Sequence, residues 1–175
     1  MFVQVDDHDM PAVAALMNLA YRGADGGWAT ESGYITGDRT SAAMLRADVD
    51  SVPDAALLKW VQAAGDGFDG CVWLEPLGGD LWYLGSLTIA PGRQAGGLGR
   101  MVLAAAEDWV RVRGGNRVRL TVINVRETLI AWYVRRGYRL TGETKPFPYG
   151  DDRFGTPTRD DLRFVVLEKA LQAAG

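Results

Sequence analysis

At 175 residues the chain suits one domain with a sizeable buried core. It is 47% hydrophobic and 23% charged, which excludes a disordered composition, and its net charge of −3 gives no overall reason to bind nucleic acid or an anionic membrane. No apolar run approaches the roughly 20 residues that span a bilayer, and one cysteine (Cys71) with one histidine (His8) supplies neither an internal disulfide nor a structural zinc site.

The start of the chain carries Asp6, Asp7 and Asp9 where a signal peptide would carry basic and apolar stretches, so a cytoplasmic location is the expectation. Asp9 is placed to cap a first helix, with Pro11 in its first turn and Val13, Leu16, Met17 and Ala20 on one face. Residues 22–38, rich in Gly and polar side chains, read as a loop. A short helix follows over residues 41–47, capped by Thr40 or Ser41. Residues 55–62, 70–75 and 81–89 are short apolar runs separated by glycine-rich turns, most economically three antiparallel strands, although the first is equally compatible with a helix.

Residues 100–113 form a stronger helix pattern. Leu98, Met101, Val102, Ala105 and Trp109 repeat at helical spacing, Arg111 and Arg113 suit the C-terminal end of the dipole, and Gly114 stops it. Residues 118–123 alternate as a strand does. Residues 127–136 predict a helix closed by Gly137, and residues 138–143 and 162–167 add two strands joined by a long loop. There is no internal repeat or linker. The sum is one α/β domain over residues 1–175, a mixed α+β sheet with helices packed on it.

Charge is unevenly distributed. Residues 1–80 hold 13 acids against 4 Lys and Arg, and residues 93–139 hold 10 Arg against 3 acids. The first segment suits a cationic ligand and the second an anionic one, unless these side chains only decorate solvated faces.

The chemistry concentrates where the strand ending at Ile89 runs through Pro91-Gly92 into Gln94-Ala95-Gly96-Gly97-Leu98-Gly99-Arg100 and opens a helix. Glycines let backbone N–H groups approach an anion closely, and a helix start favours negative charge. A nucleotide P-loop is excluded because Gly-Lys-Ser/Thr is missing. A dinucleotide fingerprint fails at Val102, where Gly or Ala is needed. An ordinary strand-to-helix turn would use the same residues.

Gln94-x-x-Gly97-x-Gly99, entered from Ile89-Ala90-Pro91, resembles the acyl-CoA signature of the GCN5-related N-acetyltransferase (GNAT) superfamily. Downstream, Ile130-Ala131-Trp132-Tyr133-x-x-x-Gly137-Tyr138 resembles a second motif of that family, at the expected spacing. The two cover about residues 81–142.

This resemblance implies a mostly antiparallel sheet splayed between two strands, flanked by about four helices. It implies acetyl-CoA lying in the splay between residues 81–89 and 118–123. Leu87, Thr88 and Ile89 would pair with the pantetheine arm as an added strand would, and Gln94, Ala95, Gly96, Gly97, Leu98, Gly99 and Arg100 would take the pyrophosphate.

The implied reaction is direct attack of a primary amine on the thioester, with Tyr133 as the general acid for the leaving thiolate. A backbone N–H such as that of Ile89 would stabilise the developing oxyanion. One position departs from the family: seven residues before Tyr133, where many members carry Asn against the cofactor arm, Arg126 stands. Either Asn124 takes that role or Arg126 reaches a phosphate.

Tyr21-Arg22-Gly23 with Gly27-Trp28-x-Thr30-Glu31 resembles one microbial branch of the superfamily, and Glu31 is a candidate base or amine anchor. Trp28, Tyr83 and Phe147 are candidate walls of the acceptor site, and Ser86 shares Tyr83's strand. The aromatic loop of residues 145–161 either covers the acceptor or, as the family also uses it, forms a homodimer interface. The acidic N-terminal segment favours a small cationic amine. The alternatives are a protein N-acetyltransferase and a non-catalytic acyl-CoA-binding regulatory domain.

Overall fold

The computed structural model describes residues 1–24, 27, 30–62 and 67–171. It opens with β1 (Phe2–Gln4). This strand has no counterpart among the elements predicted from sequence, because three residues are too few to show a period. In α1 (Met10–Arg22) Val13, Ala14 and Met17 are buried. Asp9 does not cap this helix with its side chain: its carboxylate pairs with Lys59 and accepts the Asp6 N–H at 3.1 Å. Pro11, which has no N–H to satisfy, occupies the first turn.

A two-residue strand, β2 (Ile35–Thr36), precedes α2 (Ala42–Ser51), whose cap is Ser41, accepting the Met44 N–H at 3.2 Å. α2 runs four residues beyond the predicted end.

The helix-or-strand ambiguity of residues 55–62 resolves as β3 (Ala56–Val61), paired with β1. Leu57 packs with α1 while Leu58 packs in the cluster that contains the third helix, the two-sided alternation of a strand. β4 (Phe68–Gly78) and β5 (Leu81–Ile89) form a hairpin. There follow α3 (Leu98–Val112), β6 (Arg117–Ile123), α4 (Glu127–Val134) and β7 (Arg139–Pro146). β8 (Thr156–Pro157) and β9 (Arg163–Ala170) complete the order. α4 stops two residues before the predicted end, where the chain turns through Gly137 at φ +90°.

The sheet runs β1-β3-β4-β5-β6-β9-β7, antiparallel except between β5 and β6. α1 and α2 cover one face around Leu45, Leu57 and Cys71. α3 and α4 cover the other around Leu58, Val72, Val102, Leu120 and Tyr133. No helix among the described residues is long and apolar enough to cross a membrane.

One buried polar cluster ties the second layer together. Glu107 of α3 accepts the Tyr138 hydroxyl at 3.1 Å and the Lys169 ammonium of β9 at 2.7 and 2.9 Å. Burial, the largest cause, and the nearby Glu107 charge push the Tyr138 phenol up, so it stays a donor. A Tyr138→Phe substitution removes that hydrogen bond and leaves Glu107 with Lys169. It is expected to cost about 1.5 kcal/mol, read as a lower urea midpoint at unchanged slope; an unchanged midpoint would show the bond contributes nothing.

Candidate active site

β5 and β6 pair for three residues only, Leu81 to Arg117, Trp82 to Val118 and Tyr83 to Arg119, and then part. The cause lies on the other edge of β5. Between Gly85 and Thr88 it advances three residues while β4 advances two, from Trp73 to Cys71. This bulge bends and twists the strand. Its kink holds Ser86 at φ +49°, a left-handed conformation that costs a non-glycine residue about 1–2 kcal/mol. β6 keeps straight because β9 pairs with it throughout, from Arg117 to Ile123.

Beyond the bulge, the Ala90 N–H bonds to Asp69 O at 2.8 Å. Antiparallel alternation then turns the Ile89 N–H and C=O, opposite Gly70, away from β4 and toward the gap. The Gln94 amide closes on the Ile89 carbonyl at 3.2 Å.

The chain passes from Ile89 through Gly96 (φ +101°) and Gly97 (φ +82°) into α3. Space above both glycines is open, so the conformation, not crowding, requires glycine there. The first α3 bond is Met101 N–H to Gly97 O. The N–H groups of Leu98, Gly99 and Arg100 therefore have no partner within the helix and point outward at the positive end of its dipole. A hollow of about 260 Å³ beside the turn is lined by Arg93, Ala95, Gly96, Leu98 and Met101. Arg100 is exposed.

The gap between the strands opens into a cavity of about 510 Å³ reached from both sheet faces. Tyr21, Arg22, Glu31 and Arg39 line it from the α1 side, Leu129 and Tyr133 from the α4 side, and Phe147 and Phe154 from the long loop. Tyr21 donates to the Leu87 carbonyl at 3.0 Å and so fixes α1 to the bulge. Tyr133 is buried, with Trp132 and Tyr138 edge-on at 4.9 and 5.5 Å. Burial pushes its phenol up, and the proton-bearing form is the one present at neutral pH. Tyr83 reaches across the strand divide to Thr121 at 3.3 Å.

Glu31 is 3% exposed and is held by guanidinium groups. Arg22 Nη1 bonds it directly, Arg126 Nη1 lies at 3.4 Å and Arg39 Nη1 at 3.9 Å. Arg39 also donates to Ser86 Oγ at 3.3 Å and lies 4.0 Å above the Tyr21 ring. Arg22 Nη2 donates to the Phe154 carbonyl, and β2 pairs with β8. The two segments that read as loops are thus zipped together over the cavity.

Several expectations change. Arg126 is buried against Glu31 instead of extending to a phosphate. Asn124 is not among the cavity residues: it donates to Asp161 O at 3.1 Å and accepts the Arg163 N–H at 2.9 Å, both at the start of β9. The lining charge also runs opposite to the cationic-acceptor expectation, with Arg22, Arg39, Arg126 and Lys145 against Glu31. The acids of the first segment explain this, because Asp6, Asp7, Asp38, Asp50 and Asp54 are on the surface. Phe147 does line the cavity, stacked on Phe164 at 5.7 Å. Trp28 lies outside the described residues.

Arg22 and Arg39 are site residues that sequence reasoning missed. Their only signal was proximity, Arg22 inside the Tyr-Arg-Gly segment and Arg39 just past the loop. Removing the charge of Glu31 leaves buried guanidinium groups facing each other. Glu31→Gln is expected to cost about 3 kcal/mol, lowering Tm by roughly 6–12 °C in a calorimetric scan; an unaltered Tm would contradict the cluster's structural role.

Solved structures share the fold. The ribosomal-protein-alanine N-acetyltransferase from Brucella melitensis is 16% identical with a TM-score of 0.71, over 98% of this chain and 99% of that chain. The ribosomal-protein-S18-alanine N-acetyltransferase from Escherichia coli is 17% identical with a TM-score of 0.66, over 100% and 96%. The yncA protein from Salmonella typhimurium, solved with its cofactor acetyl-CoA, is 15% identical with a TM-score of 0.67, over 100% and 95%. At such identities the likeness shows the fold. No curated protein sequence matches the chain. The profile of the Acetyltransferase (GNAT) family matches residues 38–138, more than half of the chain, and spans the parted strands, the glycine turn and Tyr133. The chain belongs to the GNAT acetyltransferase family, which uses acetyl-CoA.

Proposed function

We propose that the protein transfers an acetyl group from acetyl-CoA to the primary amine of a small acceptor by direct attack. The observation that carries this reading is the parting of β5 and β6 beside the glycine turn, with Tyr133 in the wall of the resulting cavity. Acetyl-CoA bound there supplies an acyl group activated as a thioester.

The residues of the chain divide the work. The outward N–H groups of residues 97–100, at the dipole end of α3, hold the pyrophosphate. The stretch Leu87, Thr88 and Ile89, where β5 is no longer paired with β6, takes the pantetheine arm, and the Ile89 N–H, turned toward the gap, is a donor for charge developing on the thioester oxygen. As the N–C bond forms and the C–S bond breaks, Tyr133 donates its phenolic proton to the leaving sulfur, and the proton shed by the attacking nitrogen passes through water to restore the phenol. Glu31, already engaged by Arg22, is withdrawn from the base role and instead orders the guanidinium cluster.

A cavity of about 510 Å³ roofed by Phe147 and Phe154 suits a small acceptor better than a polypeptide, although two structural relatives are named for acting on ribosomal-protein alanine. The retained tyrosine in that wall favours an enzyme over a binding module. Thiol release from acetyl-CoA, screened over polyamines, amino acids, aminoglycosides and peptides, identifies the acceptor. With that acceptor, Tyr133→Phe is expected to lower kcat by at least about 10²-fold while acetyl-CoA Kd stays within about twofold. Unchanged turnover would remove Tyr133 from the chemistry.

A further inference from the structure

We infer that the acceptor amine carries a carboxylate, bound by Arg39 on the α1 side of the cavity; this rests on the acetyltransferase reading above. Three guanidinium groups, Arg22, Arg39 and Arg126, surround one carboxylate, and Glu31 is the one acid among the described residues lining the cavity. Each guanidinium offers five N–H donors, whereas a carboxylate accepts at about four lone-pair sites. The cluster therefore keeps net positive charge where water is scarce. The Arg22 side chain is 7% exposed and its Nε has no hydrogen-bond partner. Buried donors of this kind are costly unless a ligand supplies the missing acceptor.

Arg39 is the member of the cluster placed to meet that ligand. It is the most accessible, with a quarter of its side chain exposed, and the farthest from Glu31, at 3.9 Å. Its guanidinium lies over the Tyr21 ring at 4.0 Å and donates to Ser86 Oγ at 3.3 Å, and so is anchored to the bulge itself. Ser86 and Leu87 line the same cavity as Tyr133. A carboxylate on Arg39 therefore holds its own molecule against the strand whose neighbouring residues face the thioester.

The coenzyme does not explain this charge. Its phosphates belong at the turn of residues 94–100, beyond the far end of β5, and its pantetheine arm is neutral. Nor does the cluster only fasten the loops: Arg22 makes the Phe154 contact, whereas Arg39 faces Ser86. The ligand class is an amine with a free carboxylate, such as an α-amino acid, since a planar guanidinium pairs with a carboxylate through two parallel hydrogen bonds.

The test uses the 20 L-amino acids and, matched one to one, their amides and decarboxylated amines. Each is titrated calorimetrically into the full-length protein saturated with CoA, and each is assayed for thiol release with acetyl-CoA. The expected result is binding and turnover of at least one free acid, with its amide at least tenfold weaker in both. Arg39→Gln should then raise KM and Kd for that acid at least tenfold, leave its amide within twofold, and leave acetyl-CoA Kd unchanged. Arg39→Lys should restore part of the loss. Equal weakening of acid and amide by Arg39→Gln would mean a structural role and would overturn the inference. Preference for amides or decarboxylated amines, or no binding of any free acid, would overturn it while leaving the acetyltransferase reading intact. Failure to bind acetyl-CoA at all would remove both.

Discussion

Parallel pairing between β5 and β6 lasts three residues, and the positions of the cavity, the unpaired end of β5 and the arginine cluster all follow from where it stops. A parallel pair would normally zip along its length, since unpaired backbone groups inside a sheet are costly. Here two neighbours pull in different directions. β9 holds β6 straight along seven residues, while the extra residue between Gly85 and Thr88 bends β5 against β4. The strain stored in Ser86 at φ +49° is small beside the pairing on the outer edges, so the bulge persists. The fold thereby keeps a strand edge open in its interior, ready for an extended ligand.

The walls of that opening are fastened to the bend by a few polar contacts. Tyr21 reaches the Leu87 carbonyl, Gln94 reaches the Ile89 carbonyl and Arg39 reaches Ser86. α1, the glycine turn and the loop after β2 are thus each referenced to the same short stretch of β5. Tyr133 approaches from the opposite layer, supported by Tyr138 and the Glu107 and Lys169 pair behind it. Residues of the two helical layers, Tyr21 and Tyr133 among them, line one cavity where the sheet has opened.

Much of this was legible in the residues. The run of residues 81–89, the glycines at 96, 97 and 99, and the helical spacing from Leu98 to Trp109 encode local structure, and each appears with its predicted type. Tyr133, which motif spacing singled out, lines the cavity. What stayed hidden is non-local. β1, β2 and β8 are two or three residues long and exist only through their partners. Glu31 as an anchored anion needs Arg22 nine residues away and Arg126 ninety-five away, a grouping no period announces. Segment charge is a poor guide for the same reason: among the described residues Asp6, Asp7, Asp38, Asp50 and Asp54 are exposed, while the Arg22 and Arg126 side chains turn inward. Neither Asn124 nor Arg126 has the surroundings expected of it: Asn124 bonds to Arg163 of β9, and Arg126 pairs with Glu31.

On the proposed function, the open edge of β5 and the turn after it form one continuous surface for acetyl-CoA. Amide hydrogen exchange, resolved residue by residue with and without saturating acetyl-CoA, tests it most directly. The account predicts new protection at Ile89 and at residues 96–100, with the paired residues of β6 and β9 unaffected. Saturable binding that leaves both Ile89 and residues 96–100 exchanging as before would place the coenzyme elsewhere and contradict the account.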